Sequence, residues 1–324
     1  MNMTIEDLFN RGIIKLAKLP KDNELDINNL DNLKLLLIPI DHDYPGGSAC
    51  MHNAVFRESN LNYRTAFIVA DPIHTEVIIN TFREDSRYIG GGVGSGFKDK
   101  AIDYLDELDE SAKIIGSINV IRKENNKLIG YNTDGIGYVK GLLKEHPYAI
   151  ADKNIVMLGA GGTGLAIAYE ITKHNPKKIT IINRTIEKAK HIAESIKKYS
   201  NSAYDGEKNI VNYLDDADLV INVSNKGAGK LIDYCAFAPI TSSIEEHNNL
   251  AVTNLSRLAR NAIVSDIILE EKSNTLKLAE QHGYTIHDGK SMNLYQAVPA
   301  LKLMTGLSFD KYNLEAIMEE SLKK

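Results

Sequence analysis

Cysteine is nearly absent from this chain. Cys50 and Cys235 stand far apart in 324 residues, too few for a disulfide framework, and their scarcity suits a reducing compartment. No apolar run reaches the length that crosses a bilayer. The opening Met1-Asn2-Met3-Thr4-Ile5-Glu6-Asp7 has neither the basic nor the apolar part of an export signal, so a cytoplasmic location is expected, with no membrane partner. An excess of positive charge is also missing: the formal net charge is -5, which leaves no electrostatic case for nucleic acid. Nine histidines are scattered without metal-ligand spacing, and no metal is expected. Internal repeats and low-complexity tracts are lacking. What is present is 43% apolar content, enough for two domains with cores of their own and in keeping with a soluble enzyme.

The most informative stretch runs from Asn154 to Ala168. A branched apolar run, Ile155-Val156-Met157-Leu158, feeds into Gly159-Ala160-Gly161-Gly162-Thr163-Gly164, and an Ala-rich helical segment follows. Strand, tight turn and helix are the expectation. The first glycine allows the turn, the second lets backbone approach a pyrophosphate, and the third lets helix and strand pack closely, with the phosphates at the positive helix N-terminus. A second strand, Lys178 to Ile182, arrives one helix later, as a βαβ unit requires. It ends in Asn183-Arg184-Thr185, with no acid before Glu187. A carboxylate there would select NAD through the ribose hydroxyls; a guanidinium attracts a 2′-phosphate instead, so NADP is expected. The bland alternative is an arginine that caps a helix or lies in solvent. Ile186 to Ile196 reads as an amphipathic cover for the sheet. Further strands are expected at Asp218 to Val223 and Ala262 to Ile268, a helix at Leu276 to Gln281 and a returning strand at Tyr284 to Ile286. The polar loop from Ser224 to Gly227 falls where such sheets place ligands, near the nicotinamide half of the cofactor.

The amino-terminal part also alternates strand and helix. Residues 1–32 read as a polar, weakly helical lead-in. Leu35 to Ile40 predicts a central strand, with pairing expected to stop or bulge at Pro39, followed by a loop at Pro45-Gly46-Gly47. A helix is expected over Ser48 to Glu58, a strand over Tyr63 to Val69, a helix over Pro72 to Phe82 and a strand over Tyr88 to Val93. This last strand enters a second glycine-rich loop, Gly90 to Gly96, whose glycines would bring backbone close to a ligand. A helix is then expected over Lys98 to Leu108. A lysine at a helix N-terminus deprotonates more easily and can exchange a proton; the alternative is a solvated surface lysine. Ile114 to Ile121 and Leu128 to Gly135 flank Glu124-Asn125-Asn126-Lys127, a hairpin signal. Asp134 alone reads as an N-cap for the helix after it. Helices over Ser291 to Met304 and Phe309 to Leu322 close the chain and are expected back on the first domain.

Taken in order, Lys98, Gly116-Ser117-Ile118-Asn119, Asn132-Thr133-Asp134-Gly135, the glycine triplet from Gly159 and Asn183-Arg184-Thr185 resemble the shikimate dehydrogenase family. The segment Gly289-Lys290-Ser291-Met292-Asn293-Leu294-Tyr295-Gln296 is similar to the family's Gly-x-x-Met-x-x-x-Gln, and Met51-His52-Asn53-Ala54-Val55-Phe56 to its first helix. The similarity covers roughly residues 35–310. The resemblance implies a catalytic pair, Lys98 and Asp134, with Ser48, Asn119 and Gln296 on the substrate. It implies NADP held by residues 159–164, Asn183, Arg184, Thr185, Ser224 and Gly289. The lysine would hydrogen-bond a ring ketone and supply its proton while the nicotinamide delivers hydride.

The implied fold class is α/β: an N-terminal α/β substrate domain (1–138 and 289–324, with 1–32 as an extension), a Rossmann-like NADP domain (139–288), and C-terminal helices returning to the first domain with substrate between the two. The implied reaction is reversible reduction of 3-dehydroshikimate to shikimate by a monomer or homodimer. Departures from the family pattern bear on the substrate. The family's Ser-x-Ser that holds a carboxylate reads Gly46 and Ser48. Its Asn-Val-Thr-x-Pro-x-Lys reads Gly92-Val93-Gly94-Ser95-Gly96-Phe97-Lys98, and its Tyr-x-Pro reads Leu269-Glu270-Glu271. Each missing hydrogen bond costs on the order of 1 kcal/mol. A paralogue acting on quinate or another cyclitol, and a non-catalytic NADP(H) sensor, are the alternatives.

Overall fold

A computed structural model describes residues 3–19, 22–43, 46–268 and 272–323; Pro45 of the expected loop and the Leu269-Glu270-Glu271 segment lie outside them. The chain falls into two compact units, Met1–Thr133 with Asn293–Lys324, and Asp134–Met292.

The first unit contains, in chain order, α1 (Ile5–Asn10), β1 (Ile14–Leu16), β2 (Lys34–Ile40), α2 (Ser48–Glu58), β3 (Tyr63–Ala70), α3 (Thr75–Glu84) and β4 (Tyr88–Gly92). Then come β5 (Glu107–Leu108), α4 (Glu110–Ile115), β6 (Val120–Glu124) and β7 (Lys127–Tyr131). Among the described residues the sheet order is β1-β3-β2-β4-β6-β7-β5. β2 runs parallel to β3 and β4 in the interior of the sheet and is packed on both faces, Leu35 and Leu37 against Ile5, Leu8 and Phe82 and Leu36 against Met51 and Val55, which is why it reads as a continuous apolar run. Toward β3 the expected break at Pro39 is not observed. The ladder with β3 passes through Pro39 paired with Ile68, and the Pro39 carbonyl accepts from Gly94 N at 3.0 Å on the other side. A strand residue points both polar groups to one neighbour, so the missing N–H is not taken from the β3 ladder. The irregularity lies earlier, between Leu35 and Leu36 against β4.

Residues after the N-terminus are built into this unit rather than leading up to it. Thr4 and Asp7 form a reciprocal capping box at α1, Ile5 and Leu8 are fully buried, and β1 pairs antiparallel with β3. Arg87 ties α1 to the strand β4 by hydrogen bonds to Glu6 (2.7 Å to Oε2) and Asp85 (2.9 Å to Oδ1). The Arg87 hydrogen bond holds the Glu6 carboxyl below its ordinary range. Burial pushes Asp85 up, but the Arg87 bonds outweigh it and leave that carboxyl lowered as well. Both folded pKa values lie below the unfolded value of about 4, so the stability they contribute is complete above that value and is lost as pH falls through the folded values. Arg87→Ala is therefore expected to lower the melting temperature at neutral pH and to flatten its fall below about pH 4; melts across a pH series would read both effects.

The helix expected over Lys98 to Leu108 is instead a short 3₁₀ turn, Lys100–Tyr104, followed by β5 paired with β7. Side chains from elsewhere hold it open. Arg83 donates to the Tyr104 carbonyl at 2.6 Å and pairs with Asp106, which also accepts Leu128 N at 2.7 Å. The α-helix on which the dipole argument for Lys98 rested is not there. The hairpin turns at Asn125 and Asn126, both with positive φ. Its first arm starts only at Val120, because residues 110–115 form α4, capped by Asp109 and ended by Gly116 at φ 64°.

The second unit contains α5 (Asp134–Glu145), β8 (Asn154–Leu158), α6 (Gly162–Thr172), β9 (Lys178–Asn183), α7 (Ile186–Ile196), β10 (Ser202–Gly206) and β11 (Leu219–Asn222). It continues with α8 (Ile244–Leu255), β12 (Ile263–Asp266), α9 (Asn274–Gln281) and β13 (Thr285–Asp288). All pairings in this sheet are parallel, in the order β10-β9-β8-β11-β12-β13. This is the doubly wound dinucleotide-binding order, with its switch point between β8 and β11. Two helices follow, α10 (Lys290–Thr305) and α11 (Leu314–Lys323). From Asn293 they belong to the first unit, where Leu294, Ala297, Leu301 and Met318 pack with Met51, Val55 and Phe56 of α2. The last helix begins five residues later than expected, since Phe309 has φ 57° and cannot lie in it.

Candidate active site

In the first unit, Asn119 is held by both its backbone and its side chain. Its N–H donates to the Tyr131 carbonyl and its carbonyl accepts Val93 N at 2.8 Å, so β4 and β7 clamp its backbone from both sides. Its side chain, 7% exposed, donates through Nδ2 to Thr133 Oγ1 at 3.0 Å and to Gln296 Oε1 at 3.3 Å, while Oδ1 accepts Thr133 N at 2.9 Å. Thr133 Oγ1 lies 3.3 Å from the same Gln296 oxygen. The fold thus brings Asn119 and Gln296 together across 177 residues. It adds Thr133, which sequence reasoning quoted within Asn132-Thr133-Asp134 but did not single out. Such a group of amides and a hydroxyl offers both donors and acceptors to a ligand rich in hydroxyls.

Lys98 is half-buried, and its carbonyl accepts Ile118 N at 3.0 Å, which fixes its backbone beside the residues that lead into β6, Asn119 among them. Asp134 follows Thr133 directly as the buried first residue of α5. Ser48 is the half-buried first residue of α2, whose Gly47 cap makes no side-chain bond; among the described hydrogen bonds none joins Ser48 to the Asn119 group. His52 on the same helix is a core residue, its Nδ1 3.3 Å from Thr65 Oγ1, and burial lowers its pKa to about 4.

The second glycine loop needs its glycines for packing as well. A Cβ on Gly91 would stand 1.9 Å from the Leu37 carbonyl oxygen, and one on Gly94 would stand 2.3 Å from Ile40 Cγ2. Gly96 has φ 79°, and a Cβ there would stand 2.7 Å from Asp41 Oδ2. These glycines let the loop press onto the end of β2. A threonine at 94 and a proline at 96 are both excluded from this backbone path, the first by Ile40 and the second by the positive φ.

In the second unit the first and third glycines of the triplet have the tight-turn and close-packing surroundings the sequence suggests. Gly159 has φ 119°, and a Cβ there would meet Ser224 N at 2.7 Å; a Cβ on Gly164 would stand 3.1 Å from Val223 Cγ2. At Gly161 a Cβ would meet nothing within 4 Å. Gly162 is exposed and Ala160 and Thr163 half-buried, and no side chain caps α6, which leaves its amino end open to an anion.

A cavity of about 140 Å³ at the carboxyl edge of the sheet is lined by Gly159, Asn183, Arg184, Ser224, Glu207 and Lys226, among others. Arg184 is exposed and does not cap α7, whose N-cap, Thr185, makes no side-chain cap bond either. Asn183 Nδ2 donates to the Thr185 carbonyl at 2.9 Å and stiffens this corner. Ser224 donates through both N and Oγ to Asn222 Oδ1, at 3.0 and 2.7 Å. Asn222 in turn donates to buried Asp266 at 2.8 Å; desolvation drives the Asp266 pKa up to about 6. Gly289 is buried where the chain passes the end of β12, its Cβ position 2.7 Å from the Asp266 carbonyl oxygen. Lys226 and Glu207 form a buried ion pair that sequence reasoning missed; nothing in either segment alone signals a partner across the sheet.

A family model for the shikimate dehydrogenase substrate binding domain matches residues 39–121, and one for shikimate/quinate 5-dehydrogenase matches residues 142–232. The chain is 36% identical to the NADP(+) shikimate dehydrogenase of Bacillus subtilis over 206 residues, 63% of this chain and 68% of that one. A crystal structure of a shikimate dehydrogenase in complex with NADP+ aligns with TM-score 0.74 and 28% identity, over 94% of this chain and 98% of the other. Ligand-free 5-ketofructose reductase of Gluconobacter aligns with TM-score 0.70 and 25% identity, over 90% and 97%. Two matched family models, one in each unit, together with a relative at this identity, establish that the chain belongs to the shikimate dehydrogenase family.

Proposed function

We propose that the chain is an NADP-dependent dehydrogenase acting on a ring CH–OH group, interconverting shikimate and 3-dehydroshikimate. The Asn119–Thr133–Gln296 hydrogen-bonded group carries the reading, because it supplies polar recognition for a polyhydroxylated ring at the positions the family pattern assigns to substrate. NADPH, when bound, supplies a hydride to the carbonyl carbon. Lys98 hydrogen-bonds the ketone oxygen as it gains negative charge and passes it a proton; Asp134 orients the lysine and a neighbouring hydroxyl. Asn119 and Gln296 hold ring hydroxyls, and Ser48 takes part in holding the carboxylate. The turn Gly159-Ala160-Gly161-Gly162-Thr163-Gly164 and the amino end of α6 hold the pyrophosphate, and Asn183, Arg184 and Thr185 the adenosine 2′-phosphate. Ser224 and Gly289 border the nicotinamide half. In this reading residues 1–138 with 289–324 serve the substrate, residues 139–288 serve the cofactor, and the protein works in the cytoplasm as a monomer or homodimer.

A second reading, a neutral polyol ketone in place of the carboxylate-bearing ring, is favoured by Gly94 and Gly96, where the loop excludes the family's threonine and proline. The solved 5-ketofructose reductase of similar fold is named for such a ketone. NADPH oxidation measured with 3-dehydroshikimate, 3-dehydroquinate and 5-ketofructose separates the readings. The expected outcome is the highest kcat/KM for 3-dehydroshikimate; a preference for the neutral ketone would overturn the first reading in favour of the second. Tight NADPH binding with turnover of none would favour a sensor.

A further inference from the structure

Lys226 is 6% exposed, a charge in a place where charges are costly. Its ammonium donates to Glu207 Oε1 and to the Ala238 carbonyl. The two partners come from distant strands: Lys226 from the loop after β11, Glu207 from the residue after β10. β9 and β8 lie between these strands in the sheet. Their own carboxyl ends carry Arg184 and Gly159, and all four residues line the same cavity.

A buried ion pair is a poor device for stability, because desolvating both charges offsets most of their attraction and a packed apolar pair would serve as well. Its effect on the cavity is more specific. Glu207 is a carboxylate lining a cavity that is also lined by Arg184, the arginine proposed to select a phosphate. Left unpaired, it would repel that phosphate. It would also be free to accept ribose hydroxyls, which is the chemistry by which a carboxylate selects NAD.

We propose that Lys226 is a cofactor-specificity residue: by neutralising Glu207 it allows Arg184 to draw in the adenosine 2′-phosphate, so that preference for NADPH over NADH depends on the pair as well as on the arginine. The proposal rests on the NADP reading above, and the two fail differently. The wild-type ratio of NADPH to NADH dissociation constants, measured by calorimetry, tests the reading; a ratio near one sinks both. The change in that ratio across a charge series tests the pair.

In the series, Lys226→Met is expected to lower the preference for NADPH about tenfold through weaker NADPH binding, with NADH binding unchanged or tighter. Glu207→Gln is expected to raise the preference a few-fold, and the double variant to return close to wild type. Equal weakening of both nucleotides by Lys226→Met would mean that the lysine only holds the loop, and would overturn the proposal. If Lys226→Met does not fold, Glu207→Gln decides alone: an unchanged ratio in a folded protein counts against the pair.

Discussion

Lys98→Met is expected to reduce turnover of the ring ketone by about 10²- to 10⁴-fold, the usual contribution of a positioned general acid, while NADPH binding stays within about twofold of wild type. The reasoning is chemical. Hydride addition turns a neutral carbonyl oxygen into an alkoxide, and a hydrogen bond from an ammonium strengthens as that charge develops, so its loss falls on kcat more than on KM. Methionine keeps the length and apolar stem of the side chain and removes only the charge and the protons. Steady-state kinetics, with NADPH titrated by fluorescence, read the two quantities separately. Asp134→Asn extends the test. If Lys98 and Asp134 act as one unit, the double variant is no slower than the slower single variant, whereas losses that add show two independent roles. Undiminished turnover in Lys98→Met removes the proposed mechanism.

The second large effect is a contrast between two glycines of one turn. Gly161→Ala is expected to leave the melting temperature nearly unchanged and to weaken NADPH binding about tenfold or more. Gly161 is exposed with ordinary negative φ, and an added Cβ meets no protein atom within 4 Å. The only thing the methyl would obstruct is a ligand lying against the backbone. Gly159→Ala is expected to do the opposite first. Its φ of 119° is closed to alanine, and the new Cβ would stand 2.7 Å from Ser224 N and 2.9 Å from the Val223 carbonyl carbon. Either the turn or the end of β11 must shift, at about 2 kcal/mol or more, so the melting temperature falls before binding is considered. Paired thermal melts and calorimetric titrations distinguish the two. A Gly161→Ala protein that binds NADPH as wild type does would show that the pyrophosphate does not approach this turn.

Much of the fold was legible because its signals are local. β2, β8 and β11 are interior strands with parallel neighbours at both edges, and because helices cover both faces of such a sheet these strands need no polar side. The Gly159 turn is legible for a related reason: a positive φ and a close approach on either side of it both demand glycine within six residues. Signals that depend on distant side chains were not legible. The segment after Lys98 has helical spacing, yet Arg83 and Asp106 hold it as a 3₁₀ turn and a short strand. The first thirty residues look polar because their few apolar anchors, such as Ile5 and Leu8, are sparse in sequence though buried in space.

By itself the sequence determined the strand–turn–helix units, the parallel dinucleotide-binding sheet and the family pattern, since each rests on residues within a few positions of one another. Tertiary structure alone decided the rest. It assigned Gly91, Gly94 and Gly96 to packing against β2, joined Asn119 and Thr133 to Gln296 from the far end of the chain, and buried Lys226 against Glu207. The physical reason is that burial and hydrogen-bond partnership are properties of neighbours in space, and for these residues the neighbours lie on other strands and helices.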